Sequence, residues 1–92
     1  MSKILIIEDE EAIRRVLKKI LSEENSSYEI FQANDGASGF EMIKQEDFDL
    51  VLCDIKMPKM DGIEVLQLIK KIKPDIPIVM ISGHGDLETA VS

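Results

Sequence analysis

Two kinds of apolar pattern alternate along the chain. Ile4-Leu5-Ile6-Ile7, Leu50-Val51-Leu52-Cys53 and Ile76-Pro77-Ile78-Val79-Met80-Ile81 are continuous apolar runs. Such runs predict strands covered on both faces, as in a parallel sheet. Pro77 is tolerated there only near the strand's beginning. A fourth stretch, 28–33, mixes apolar and polar residues as an edge strand does. Between the runs the period changes. Ile13, Val16, Leu17, Ile20 and Leu21 recur at helical spacing, with Arg14, Arg15, Lys18 and Lys19 on the other side. Acids stand at the N-terminus of this first helix and lysines toward its C-terminus, which complements the helix dipole. A polar loop is predicted over 22–27.

Asn34-Asp35-Gly36 marks a turn and offers a cap to a second helix, built on Ala37, Phe40 and Ile43 with Met42 beside them and ending near Gln45. Asp47-Phe48-Asp49 links it to the central strand. After the loop Met57-Pro58-Lys59-Met60, Asp61-Gly62 opens a third helix with Val65, Leu66, Ile69 and Ile72 as its buried stripe. Lys70, Lys71 and Lys73 lie at its C-terminal end, and Pro74-Asp75 stops it. Ser82-Gly83-His84-Gly85 reads as a loop, and a further helix begins at Asp86. The order is βαβαβαβ plus part of a helix. It predicts an α/β fold, a doubly wound parallel sheet of four strands with right-handed crossovers and helices on both faces. The whole chain, 1–92, reads as one domain.

Composition narrows the function. Eighteen acids against 11 Lys and Arg give a net charge of −7, a surface that repels phosphate backbones and disfavours direct nucleic-acid binding. No apolar stretch approaches a membrane span, and no signal peptide precedes the first strand. The single cysteine, Cys53, excludes an internal disulfide and suits a reducing compartment, so a cytoplasmic location is expected.

The candidate chemistry lies where the apolar runs end. Glu8 and Asp9 follow the first strand, Asp54 ends the third and Ser82 follows the fourth. Parallel strands bring their carboxyl ends to one edge, where open α/β sheets bind ligands. Two or three carboxylates within a few ångströms repel and raise one another's pKa values unless a divalent cation intervenes. Carboxylates, a backbone carbonyl and retained waters are the donors Mg²⁺ prefers, and no zinc-type set of His and Cys accompanies them. Taken singly, Glu8 and Asp9 also suit a helix N-terminus, Asp54 a turn and Ser82 a cap. Cys53 points to the face opposite Asp54 and reads as a buried structural thiol. His84 is assigned no role. The lysines of the first and third helices read as solvated faces, and Lys56, Met57 and Pro58 as the loop over the site.

The motifs Glu8-Asp9, Asp54-Ile55-Lys56-Met57-Pro58 with Asp61-Gly62, and Ser82-Gly83 together resemble the receiver domain of bacterial two-component response regulators. Ser82-Gly83-His84-Gly85-Asp86 further resembles receivers of the nitrogen-regulator class, which precede an ATPase module and a DNA-binding module. The resemblance implies a flavodoxin-like fold and a signalling switch for transcription, phosphorylated by a sensor histidine kinase. In that reading Asp54 is the phosphoacceptor. Asp9 and Asp54 ligate Mg²⁺, Glu8 does so through water, and Lys56 contributes its backbone carbonyl. Ser82 hydrogen-bonds a phosphoryl oxygen, and Gly83 leaves room for the donor. Such a protein is a phosphoacceptor with self-catalysed chemistry, not a turnover enzyme.

Receivers also carry a fifth strand, ended by a lysine, and a last helix, which this sequence lacks. The resemblance therefore implies a receiver shortened at its C-terminus, with slowed phosphorylation. It would associate with a second copy through the exposed edge of the fourth strand or by exchange around Gly83 to Gly85. A self-associating fragment that no longer signals is the alternative. An aspartyl-phosphate phosphatase would show a second Asp two residues after the nucleophile, where this sequence has Lys56. A flavin- or nucleotide-binding domain would want a Gly-rich turn after the first strand, where Glu8-Asp9-Glu10-Glu11 stands instead.

Overall fold

Strands form where the apolar runs predict them, because a β-branched run covered on both faces loses little by extending and gains burial on each side. The structure, a computed structural model, describes residues 2–57 and 61–81. Its elements are β1 (Lys3–Ile7), α1 (Glu11–Glu24), β2 (Glu29–Ala33), α2 (Gly36–Gln45), β3 (Leu50–Asp54), α3 (Gly62–Ile72) and β4 (Ile78–Ile81). All the pairings are parallel, in the order β2-β1-β3-β4, so β2 is an edge strand as expected. Ile7 stands opposite Ala33 and Cys53, which brings the ends of β1, β2 and β3 to one level. Asp54 stands opposite Ile81 at the end of β4. The expected Ser82 to Gly85 loop, the helix from Asp86 and Pro58 lie outside the described residues.

Alternation divides the strand side chains between two layers. Leu5, Ile7, Val51, Cys53, Ile78 and Met80 face α2 and α3 in one buried cluster with Ile43, Val65 and Ile69. Gly39 lets α2 lie close over β1, since a Cβ there would come within 2.5 Å of Ile7 Cδ1. The opposite face carries Ile4, Ile6 and Leu52, packed against Leu17 and Leu21 of α1. At the amino edge the sheet is tied by the Lys3 N–H, which donates to Asp49 Oδ2 at 2.7 Å. Asp35 and Asp61 cap α2 and α3, accepting from the Ser38 and Glu64 N–H groups. No helix among the described residues is long and apolar enough to cross a membrane.

Four expectations are corrected. The predicted loop at 22–27 begins late, because α1 runs on through Glu24 and closes where the Asn25 N–H bonds the Leu21 carbonyl. Nothing in Ser22-Glu23-Glu24 breaks a helix. In consequence the last turn of α1 carries no base, and the predicted lysine complement to its dipole is missing there. Ile72, assigned to the buried stripe of α3, is exposed, and of the apolar positions at helical spacing on α1 Val16 and Ile20 are 56% and 57% exposed. Finally, Lys70 and Lys73 are not simply solvated. Lys70 Nζ donates to the Pro74 and Ile76 carbonyls, and Lys73 Nζ to the Glu46 carbonyl and Asp47 Oδ1. They fasten the end of α3 to the loops beside it.

Candidate functional site

β1 and β3 are adjacent parallel strands, so their carboxyl ends deliver Glu8, Asp9 and Asp54 to one place. One carboxylate oxygen from each lies within 4.8 Å of the others. Glu8 and Asp54 are buried, at 3% and 5% exposure, and Asp9 is half-buried. Burial is the main cause that lifts the Glu8 carboxyl from its ordinary value to about 8, helped by its hydrogen bond with Asp9 and the charge of Asp54. The Glu10 N–H, donating to Glu8 Oε2 at 3.1 Å, opposes that rise. Clustered, desolvated carboxylates of this kind form a hard oxygen-donor set that a divalent cation would relieve.

The backbone around the cluster is held from several sides. The Glu8 N–H donates to the Ala33 carbonyl at 3.1 Å, and Arg14 Nη1 donates to the Glu8 carbonyl at 2.7 Å. Arg14 thereby ties α1 to the backbone that carries the acids. The sequence reading missed it, since only the first turns of α1 bring position 14 back over position 8. The Lys56 N–H donates to Asp54 Oδ1 at 3.3 Å, while the Lys56 side chain is exposed. Met57 is buried against the core, so the start of this loop is anchored.

Cys53 is fully buried on the α2/α3 face, and its Sγ donates to the Asp54 carbonyl at 3.5 Å. Burial, with the charges of Asp54 and Glu8, pushes its thiol up to about 12. It stays a thiol at neutral pH and is no nucleophile. Two open surface hollows border the helices. One, of about 480 Å³, runs along α3 beside Leu68 and Lys71; the other, of about 380 Å³, is bordered by Arg14, Gln32, Asn34 and Ser38. Ser82 lies outside the described residues.

The family model of the response regulator receiver domain matches residues 4–92. The chain belongs to this family. The receiver is 42% identical to the response regulator receiver protein CpdR of Brucella abortus, over 92% of this chain and 69% of that one. It is 38% identical to the transcriptional regulatory protein ZraR of Klebsiella oxytoca over 96% of its own length, but spans only 19% of that relative. Among solved structures it is similar to the response regulator TrrA of Thermotoga maritima in complex with Mg(2+)-BeF. The TM-score is 0.85 at 38% identity, over 92% of this chain and 72% of TrrA. A complex of TrrA with the histidine kinase ThkA is similar at a TM-score of 0.84, with 37% identity, covering 94% of this chain and 72% of that one. The α/β fold and the receiver assignment read from the motifs are borne out.

Proposed function

We propose that this receiver accepts a phosphoryl group on Asp54 in a Mg²⁺-dependent reaction, with a sensor histidine kinase as donor, and acts as a switch for transcription. The observation that carries the reading is the convergence of Glu8, Asp9 and Asp54 within 4.8 Å. The relatives agree with it: TrrA was solved both with Mg(2+)-BeF and with a histidine kinase, and ZraR is a transcriptional regulator.

In this reading an Asp54 carboxylate oxygen bonds to phosphorus as the P–N bond of a phosphoimidazole breaks. The imidazole leaves with that electron pair and takes up a proton. Asp9 and Asp54 would hold Mg²⁺, with Glu8 acting through water and the Lys56 carbonyl as a further donor. The bound ion supplies charge neutralisation for the phosphoryl oxygens. The Ser82 hydroxyl donates to one of those oxygens. Arg14 steadies the Glu8 carbonyl, and the Lys56 N–H orients the Asp54 carboxylate.

Self-association through β4 belongs to the same proposal. Among the described residues β4 pairs only with β3, and Val79 and Ile81 are half-covered. A second copy would satisfy that edge. Light scattering at micromolar concentration should give a dimer or larger, and a compact monomer contradicts it.

Amide shifts during a Mg²⁺ titration test the site itself. Saturable shifts centred on residues 8–10 and 54–56 are expected, strongly weakened in Asp9→Asn and in Asp54→Asn. Equal affinity in the wild type and both variants contradicts the assignment.

A further inference from the structure

Gly62 opens α3, yet its closest neighbours belong to the strand end that carries Asp54. A Cβ at this position would overlap the Asp54 carbonyl oxygen, and would lie 2.8 Å from Ile55 Cα and 2.6 Å from Met80 Cε. The first two are backbone atoms, which cannot swing aside as a side chain can. The two peptide groups that follow Asp54 are each held at both ends. In the first, the Ile55 N–H donates to the Ile81 carbonyl at 2.9 Å, while the Asp54 carbonyl oxygen is lodged between the Cys53 thiol and Gly62. In the second, the Ile55 carbonyl accepts from the Gly62 N–H at 2.8 Å, and the Lys56 N–H donates back to Asp54 Oδ1. Gly62 thus bears on both peptides, one by contact and one by hydrogen bond. Gly39 offers a contrast, since a Cβ there would meet only side-chain atoms of Ile7.

We propose that Gly62 is a positioning residue for Asp54, its bare Cα and its N–H together fixing the two peptides that aim the carboxylate at Glu8 and Asp9. The proposal rests on Asp54 being the phosphoacceptor. Any side chain at position 62 must push the Asp54–Ile55 peptide, and the carboxylate moves with it. A misplacement of about 1 Å costs on the order of 10²-fold in a positioned reaction.

The test phosphorylates the 92-residue chain with acetyl phosphate and Mg²⁺, following the mass gain per folded molecule. Gly62→Ala is expected to slow Asp54 phosphorylation on the order of 10²-fold and to weaken Mg²⁺ binding. Gly39→Ala should lose stability while keeping the wild-type rate. Adding Met80→Ala to Gly62→Ala removes the side-chain overlap but leaves the backbone one, and should not recover the rate. In the unaltered chain, the Gly62 and Lys56 amide resonances should move with Mg²⁺ at one midpoint. A wild-type rate in folded Gly62→Ala overturns the proposal, as does rescue of the rate by Met80→Ala. So does a Gly62 resonance unmoved at Mg²⁺ saturation, a reading that needs no variant to fold. A wild-type chain that gains no phosphoryl group fails the phosphoacceptor reading instead.

Discussion

On the α2/α3 face of the sheet, Leu5, Ile7, Val51, Ile78 and Met80 lie fully buried beneath Ile43, Val65 and Ile69. On the α1 face, Ile4, Ile6 and Leu52 are buried, but Leu50, Val79 and Ile81 are only partly covered, and no residue of α1 is buried. Val16 and Ile20 stand more than half exposed. By alternation Glu8 and Asp54 continue the α1-face rows of β1 and β3 beyond their apolar parts. The candidate site therefore belongs to the thinly covered layer, whereas the packing that fixes the strands belongs to the other. A fully buried aliphatic side chain contributes about 1.5–3 kcal/mol relative to an exposed one. The stability of the sheet is thus concentrated where the chemistry is not.

The largest expected contrast is between equivalent truncations on the two layers. Ile69→Ala, on α3, should cost about 2–5 kcal/mol in urea unfolding. Ile20→Ala, on α1, should cost less than about 0.5 kcal/mol, because it removes little buried surface. Comparable losses would mean that the α1 face is covered in solution.

Next in size is the pH dependence of the edge. The Glu8 carboxyl, raised from 4.5 to about 8 in the folded chain, keeps a proton that the unfolded chain has released. Its stabilising contribution is full below about pH 4.5 and is lost as the pH rises through about 8. Without Mg²⁺, stability should decline across that window, by an amount on the order of a few kcal/mol. Glu8→Gln should flatten the decline. Cation binding competes with that proton, so Mg²⁺ affinity should fall by up to about tenfold per pH unit below pH 8. A flat pH profile for both quantities would separate Glu8 from the site.

Smaller again are the helix caps of the well-packed layer. Asp35→Ala removes the acceptor of the Ser38 N–H and Asp61→Ala that of the Glu64 N–H. Each should cost about 1 kcal/mol by chemical denaturation. Asp61→Ala should also slow acceptor chemistry, because it loosens the turn that seats Gly62, while Asp35→Ala should leave that rate alone.

Much of this was legible in the sequence. The continuous runs at 4–7, 50–53 and 76–81 carry their own strand signal, although the last strand begins only at Ile78, and the Asp35 cap was readable from Asn34-Asp35-Gly36. The carboxylates were readable because parallel topology alone sends Glu8, Asp9 and Asp54 to one edge. What periodicity does not reveal is whether anything covers an apolar stripe, which is why Ile72 was assigned to a buried one and why the spacing of Val16 and Ile20 does not tell that they stand exposed. The ties made by Lys70 and Lys73, the reach of Arg14 to the Glu8 carbonyl and the contact of Gly62 with the Asp54 backbone all depend on tertiary approach. No local pattern encodes them.

The central claim is that the acidic edge makes Asp54 a phosphoacceptor. Treatment of the chain with acetyl phosphate and Mg²⁺, followed by mass spectrometry of the intact protein and its peptides, addresses it directly. The account predicts a gain of one phosphoryl group, carried by the peptide containing Asp54, absent without Mg²⁺ and absent in Asp54→Ala. Phosphorylation that persists in Asp54→Ala, or that is indifferent to Mg²⁺, would contradict it.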